Sequence, residues 1–541
     1  MTEDAYDFVV VGAGSAGCVL ANRLSQDPET SVLLLEAGEP DDERNIKIPA
    51  AFPELFKTET DWEYYTEPQE HCGGRELYWP RGKTLGGCSS NNAMIYVRGH
   101  RSDYDHWADL GNDGWEYDSM LEYFKRAETF EPPATEYHGT DGPLNVADQT
   151  SPRPASEAFV RAAAAAGYDR NDDFNGADQE GVGMYHVTQK GGKRHSAADA
   201  YLKPVLDRSN LTAETGARVT EVTIEDGRAT GVEYRQDGAR HVADASEEVV
   251  LSAGAVNSPH LLMLSGVGDP AHLSEHGIDV TVESPGVGRN LQDHLFVFTV
   301  YETSDDVSTL DDAGGLLDIL NWFVFKRGRL TSNVGEAGGF VRTAEEKSRP
   351  DLQFHFAPTY FMEHGLANPA DGRGLSIGAT QLRPESRGRV TLASDDPFDA
   401  PRIDPNYLAE SEDVDTLVEG VKRAREIAAQ EPLSGYVEDE VWPGEDAQSD
   451  AEIAEHVREK CHTVYHPVGT CKMGDDEAAV VDDRLRVHGV EGLRVADASV
   501  MPTLVGGNTN APTIAIAERA ADLIRDDRAE PADEPVAAAT D

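Results

Sequence analysis

The sequence predicts a mixed α/β fold opened by a βαβ unit. Three observations predict it. Tyr6–Val11 is a short continuous apolar run, the pattern of a strand buried in a parallel sheet. Gly12–Gly17 is a glycine turn, and Cys18–Leu24 has helical spacing. Ser31–Leu35 is a second apolar strand, closed by Glu36.

The later elements follow from the same reasoning. Leu77–Gly99 and Gly181–Pro204 are polar, glycine-bearing stretches with little periodicity. Leu211–Val222 and Gly231–Arg235 alternate like strands, and Glu248–Ala253 reads as a third buried strand. Ser258–Leu264 is a short helix with Ser258 as its cap and Pro259 at its first position. From Phe296 to Arg383 the pattern mixes short strands and loops. Asp415–Gln430 and Asp450–His462 have amphipathic helical spacing, Leu493–Ala496 is a last strand, and Pro512–Ile524 a last long helix. From Asp526 onward the chain is acidic and rich in Ala and Pro, the composition of a disordered tail.

The chain has 541 residues, long enough for two domains, and 39% of them are apolar. Its 99 acidic residues outnumber 47 basic ones, a net charge of −52. Nucleic acid is excluded as a partner, because phosphate binding needs Lys and Arg, and an acidic membrane surface is disfavoured for the same reason. The acids are scattered, as in Asp41-Asp42-Glu43 and Asp475-Asp476-Glu477. At low salt so much like charge strains a compact body. Molar salt shrinks the screening length to roughly 3 Å and relieves it. The composition therefore predicts a protein adapted to a salt-loaded cytoplasm. Five cysteines, without a C-x-x-C pair, fit reduced thiols rather than a disulfide framework. No metal-ligand spacing, signal peptide or membrane-length apolar run is read.

Gly12, Gly14 and Gly17 form G-x-G-x-x-G, with Ser15 and Ala16 between the last two. The first glycine allows the tight turn, the second lets backbone approach a pyrophosphate, and the third lets helix and strand pack closely. The helix start offers free N–H groups and a positive dipole end to phosphates. Glu36, nineteen residues after Gly17, stands where a carboxylate accepts hydrogen bonds from ribose hydroxyls and repels a 2′-phosphate. This constellation predicts a dinucleotide site but serves NAD and FAD alike.

Further segments narrow the choice. Gly82–Met94, Gly254–Gly268, Val287–His294, Tyr465–Gly474, Val495–Ser499 and Gly507–Thr513 occur in an order that resembles the glucose–methanol–choline (GMC) oxidoreductases. The resemblance spans residues 6 to about 525, and the choline-oxidising members are nearest in look. It implies a Rossmann-like FAD domain assembled from residues 1–45, 80–150, 205–295 and 460–525. Residues 46–79, 151–204 and 296–459 would form a substrate domain built on a large sheet, and 526–541 the tail. It implies that Val219 meets the adenine through its backbone and that Asn92 and Met94 line the flavin. Asp497 and Ala498 would hold the ribityl and pyrophosphate region. Thr84, Gly87, Ala93 and Ala253 complete the expected FAD set with Gly12, Gly14, Ser15, Ala16, Gly17, Glu36 and Asn510. Asn91 stands where some members carry a flavin-linked histidine, so the FAD is expected to be non-covalent. Ala93 departs from the family's usual Gly or Ser.

Alcohol oxidation needs a base for the hydroxyl proton, and a neutral imidazole suits that near pH 7. Among 17 histidines, His466 lies in the H-P-x-G-T segment where the family's base stands. The implied chemistry passes hydride from the alcohol carbon to flavin N5, giving the aldehyde. The partner amide is Asn508 or Asn510. Ungapped alignment to Ala517-Glu518-Arg519 favours Asn508 as the catalytic partner and leaves Asn510 to cap the helix or contact the flavin. The expected substrate is choline or another primary alcohol, since an anionic protein attracts a cation. Oxygen or a quinone- or dye-like carrier would accept the electrons, and an oligomer is compatible with the sequence. The competing readings are a lyase or decarboxylase on the same scaffold, an unrelated NAD-dependent dehydrogenase, and a non-catalytic flavin-binding protein.

Overall fold

The structure is a computed structural model that describes residues 5–369 and 371–529. Strand β1 (Ala5–Val11), helix α1 (Ser15–Leu24) and strand β2 (Val32–Leu35) form the expected unit. Residues Phe8 to Val11 and all four residues of β2 are buried, as parallel strands covered on both faces must be. Around them lies a seven-stranded sheet. Its order is Leu211–Glu214, β2, β1, Ala239–Leu251, Arg228–Gln236, Arg218–Glu225, with Leu493–Val495 paired to Ala239–Leu251. The pairs that flank β1 and β2 are parallel, whereas the three strands from Arg218 to Leu251 form an antiparallel meander.

The region from Phe296 to Arg383 holds more order than its sequence pattern suggests. A second seven-stranded sheet runs Glu440–Trp442, Leu295–Thr303, Arg373–Gln381, Leu352–Ala357, Ala337–Val341, Gly181–Met184, with His462–Thr463 paired to Leu295–Thr303. Every pairing in it is antiparallel. Both faces of its central strands are covered, which removes the alternation that marks a half-exposed strand. Helix Ser411–Ala428 presents Val414, Leu417, Val418 and Val421, a stripe at helical spacing, to Leu295 and Val297. Phe296 and Phe298, the intervening residues, point to the opposite face.

Three expected boundaries move. The helix expected at Ser258 begins at Gly254, whose φ of +85° turns the chain out of the preceding strand. Ser258 therefore lies inside it, and its hydroxyl joins Ala253 N–H to Asp497 Oδ2 instead of capping the helix. His462, expected in a helix, begins the short strand after helix Asp450–Lys460 and belongs to the second sheet. The final helix spans Asn510–Ala529, running through the first residues expected to be tail. Asp527 there pairs with Arg484 and Arg494. The remainder of the expected tail lies outside the described residues.

Candidate active site

A cavity open to solvent is lined by residues of both sheets. On the first sheet's side the glycine turn shapes it. A Cβ on Gly12 would stand 2.7 Å from Ser252 O, and one on Gly17 only 1.8 Å from Gly12 O. Gly17 thus serves helix–strand packing and does not line the cavity. Gly14 and Gly87 face each other, and a Cβ on Gly87 would come within 2.7 Å of Gly14 Cα. Both line the cavity, so backbone is bared to it beside the start of α1. That cradle suits a pyrophosphate.

Glu36 lines the same side. One of its carboxylate oxygens accepts from Ala13 N–H and the other from Gly38 N–H, each at 2.8 Å. Burial pushes its pKa up to about 7 against the pull of those donors. Two-point anchoring fixes the carboxylate's orientation and leaves lone pairs free to accept from a ribose. Asp497 accepts from Gly254 N–H at 2.8 Å and Ser258 O–H at 2.6 Å, and its other oxygen from Ser499 N–H. Its side chain is thus committed to ordering the turn that presents Ala498. Ser15 Oγ donates to Asn510 Oδ1 at 2.7 Å, tying the glycine turn to the first residue of the final helix. Asn92 Oδ1 accepts from Met94 N–H and from the buried Arg194 guanidinium, which orients it.

Of the expected FAD residues, Gly12, Gly14, Ser15, Ala16, Glu36, Gly87, Asn92, Ala93, Met94, Val219, Ala253, Asp497, Ala498 and Asn510 line the cavity, and Asn91 joins them. Thr84 does not. It is fully buried with its hydroxyl on Glu39 O, so the residue the motif points to is spent on bracing the Glu39 loop.

The opposite end is organised around His466. Its backbone N–H donates to Asp293 Oδ1 at 2.8 Å, and Thr463 and Tyr407 hydroxyls hold the other Asp293 oxygen. Tyr465, immediately before it, sits at φ +72°, a rare conformation kept by its surroundings. Burial, with His294 next in weight, holds the His466 imidazole well below the usual histidine pKa, so it is neutral at pH 7.

The proton positions follow from the partners. His294 Nε2 lies 3.2 Å from Leu382 O, a group that only accepts, so Nε2 carries the proton. Burial drives His294 down to about 3, so this neutral ring has a bare Nδ1. His466 Nδ1 lies 2.9 Å from that nitrogen and must donate to it. The lone pair of His466 is therefore on Nε2, 3.2 Å from Asn508 Nδ2. Gln353 Nε2 donates to Asn508 Oδ1 at 3.2 Å and to Tyr185 O–H at 3.1 Å, which fixes the amide's orientation. His355 adds an unpaired buried Nε2 among the cavity-lining residues, its Nδ1 on Thr380 Oγ1.

The structure thus brings His466 and Asn508 together and leaves Asn510 on the Ser15 side. Sequence reasoning assigned no role to His294, Gln353 or His355. His294 closes the Val287–His294 motif, a signal that was available. Gln353 and His355 sit in a strand with no motif.

The GMC oxidoreductase family model matches residues 6–296 in its N-terminal part and 384–517 in its C-terminal part. The chain belongs to the GMC oxidoreductase family. It is 48% identical over 529 residues to an alcohol dehydrogenase [acceptor] of Pseudomonas putida, covering 96% of this chain and 95% of that one. It is 46% identical over 536 residues to the mitochondrial choline dehydrogenase of Mus musculus, covering 97% and 90%. Among solved structures it resembles pyridoxine 4-oxidase from Mesorbium loti, with a TM-score of 0.88, 34% identity and coverage of 96% and 98%. Formate oxidase of Aspergillus oryzae follows at a TM-score of 0.89 and 29% identity, covering 97% and 98%. The GMC fold accounts for both large sheets. Among the described residues no helix is long and apolar enough to cross a membrane, and no cluster of side chains could hold a metal ion.

Proposed function

We propose that this GMC oxidoreductase oxidises an alcohol to the aldehyde with non-covalent FAD, and that His466 Nε2 removes the hydroxyl proton. The observation that carries the reading is the run of fixed hydrogen bonds from Leu382 O through His294 to His466. It leaves His466 Nε2 unprotonated at the cavity, within reach of Asn508 N–H, on a ring kept neutral by burial. Bound FAD supplies the acceptor for the hydride that leaves the alcohol carbon. Gly14, Gly87, Glu36 and Asn510 are the residues positioned to hold it, and Asn91 offers no imidazole for a covalent link.

As the alcohol proton moves to Nε2, His466 becomes an imidazolium. Its Nδ1–H then donates from a charged ring to His294, a stronger bond than before transfer. Asn508 Nδ2–H faces the same point and can stabilise the oxygen as charge develops without competing for the proton. The relatives named above are dehydrogenases and oxidases, and none favours the lyase or decarboxylase reading.

Anaerobic stopped-flow with an alcohol deuterated at the reacting carbon tests the assignment. His466→Ala slows flavin reduction by about 10²–10⁴, the usual worth of a positioned base, while FAD is retained. Asn508→Ala slows it less, because the base remains. Flavin reduction at the parental rate in His466→Ala would overturn the reading.

A further inference from the structure

The cavity end at His466 has a composition that narrows the substrate. Phe52, Phe56, Phe296, Phe298, Phe361 and Val464 wall it. The rings form one continuous surface: Phe296 and Phe298 centroids are 4.6 Å apart, Phe298 and Phe361 5.5 Å, Phe361 and Phe52 6.2 Å, Phe52 and Phe56 5.8 Å. Phe296 and Phe298 are successive same-face residues of the strand that begins directly after His294, so the wall and the histidine relay share one backbone. The polar side chains lining this end are His466, Asn508, His355 and Tyr465, all uncharged, with Arg81 beside them.

Charge is absent from this wall with one exception, and that one is positive. Among the described residues lining the cavity the carboxylates are Glu36 and Asp497, both on the glycine-turn side and both engaged by backbone N–H groups. Two more buried carboxylates lie behind the wall without lining the cavity. Asp293 holds His466 N–H, Thr463 and Tyr407, and Asp61 holds Tyr78 with the N–H groups of Lys57 and Arg81. Arg81 does line the cavity, its guanidinium on Tyr465 O and Pro80 O.

A cation entering this end sheds its water, meets no carboxylate and shares the cavity with Arg81. Desolvating an ion is costly unless a counter-charge replaces the lost water. Phenyl faces return only part of that by cation–π attraction, with phenylalanine not the best of the aromatic partners. A neutral alkyl or aryl body has no such cost and gains from every methylene it buries. The net charge of −52 acts on the outer field and not on this enclosed wall.

We infer that the substrate is an uncharged alcohol with an apolar body, selected by the Phe52/Phe56/Phe296/Phe298/Phe361 wall, in preference to choline. This rests on the alcohol-oxidation reading above. The decisive comparison is choline against 3,3-dimethylbutan-1-ol, its neutral isostere, followed by straight-chain alcohols from 1-butanol to 1-decanol. The readout is the second-order rate of anaerobic flavin reduction in the holoenzyme in molar KCl.

The isostere is expected to exceed choline at least tenfold. The straight chains should gain about fourfold per methylene until the cavity is filled, the equivalent of about 0.8 kcal/mol per buried CH₂. Phe298→Ala, which enlarges the wall, moves the chain-length optimum upward. Choline equal to or faster than its isostere overturns the inference and leaves alcohol oxidation standing, as does a rate that does not rise with chain length. Failure of every alcohol to reduce the flavin overturns the underlying reading as well.

Discussion

His294 touches no substrate in this scheme and acts only through His466, so its replacement tests the hydrogen-bond reasoning itself. In His294→Ala the His466 Nδ1–H loses its acceptor. A hydrogen bond between neutral groups contributes about 1 kcal/mol net, and one from a charged donor about 1.5–3 kcal/mol. The imidazolium formed during proton transfer therefore loses about 1 kcal/mol more than the resting ring, about fivefold in rate. The tautomer is also released: a ring protonated at Nε2 has no lone pair facing the cavity. Together these effects set an expected slowing of about 5- to 50-fold, smaller than that of His466→Ala. His294→Gln restores an acceptor, because its amide oxygen can take the Nδ1–H, and should recover most of the rate. The assay is the limiting rate of anaerobic flavin reduction at saturating alcohol, measured from pH 5 to 9, alongside apparent substrate affinity. A purely structural histidine would alter affinity or FAD retention and spare the limiting rate. An unchanged limiting rate in His294→Ala, or no recovery in His294→Gln, would refute the tautomer argument.

Three other outcomes are expected. Acid or heat precipitation should release the yellow colour into the supernatant, since Asn91 cannot bond the flavin; colour that stays in the pellet contradicts this. Dilution from molar to tens-of-millimolar KCl should lower the melting temperature markedly as screening of the scattered acids is lost, and a salt-independent melting curve would show the composition misread. Stability should fall as pH drops from 6.5 to 4. Burial holds His195, His260, His355 and His456 at about 4 and His294 and His364 at about 3. The unfolded chain, with histidines near 6.5, takes up protons first, which removes up to about 3 kcal/mol per group across that window. Glu36 at about 7 and Asp293 at about 6 act in the opposite sense, because the folded state protonates them first, but they are two against six. A melting temperature that holds or rises on acidification would contradict the balance.

The sequence by itself determined what is contiguous. The βαβ unit, the glycine turn and Glu36 are each carried within a few residues by rules of local geometry: a tight turn, a helix start, a strand end; His466 is picked out among 17 histidines by the resemblance of its H-P-x-G-T segment to the family's. Reading Asn508 rather than Asn510 as the partner of His466 needed an alignment, since both lie in one glycine–asparagine stretch; in the fold it is Asn508 Nδ2 that lies 3.2 Å from His466 Nε2. Tertiary structure decided the rest. His294 and His466 are 172 positions apart, and Gln353 and Asn508 155, so nothing local records that they meet. The second sheet was read as short strands and loops because helices cover one face and the cavity wall the other, which erases the two-residue alternation. Thr84 shows the converse: a polar residue in a motif that points to the cofactor, turned by the fold to a backbone carbonyl away from the cavity. The apolar wall shows it most fully. Its phenylalanines come from three separate segments, and a net charge of −52 gives no sign of them, because composition averages over a surface while a substrate meets only the few side chains that the fold turns inward.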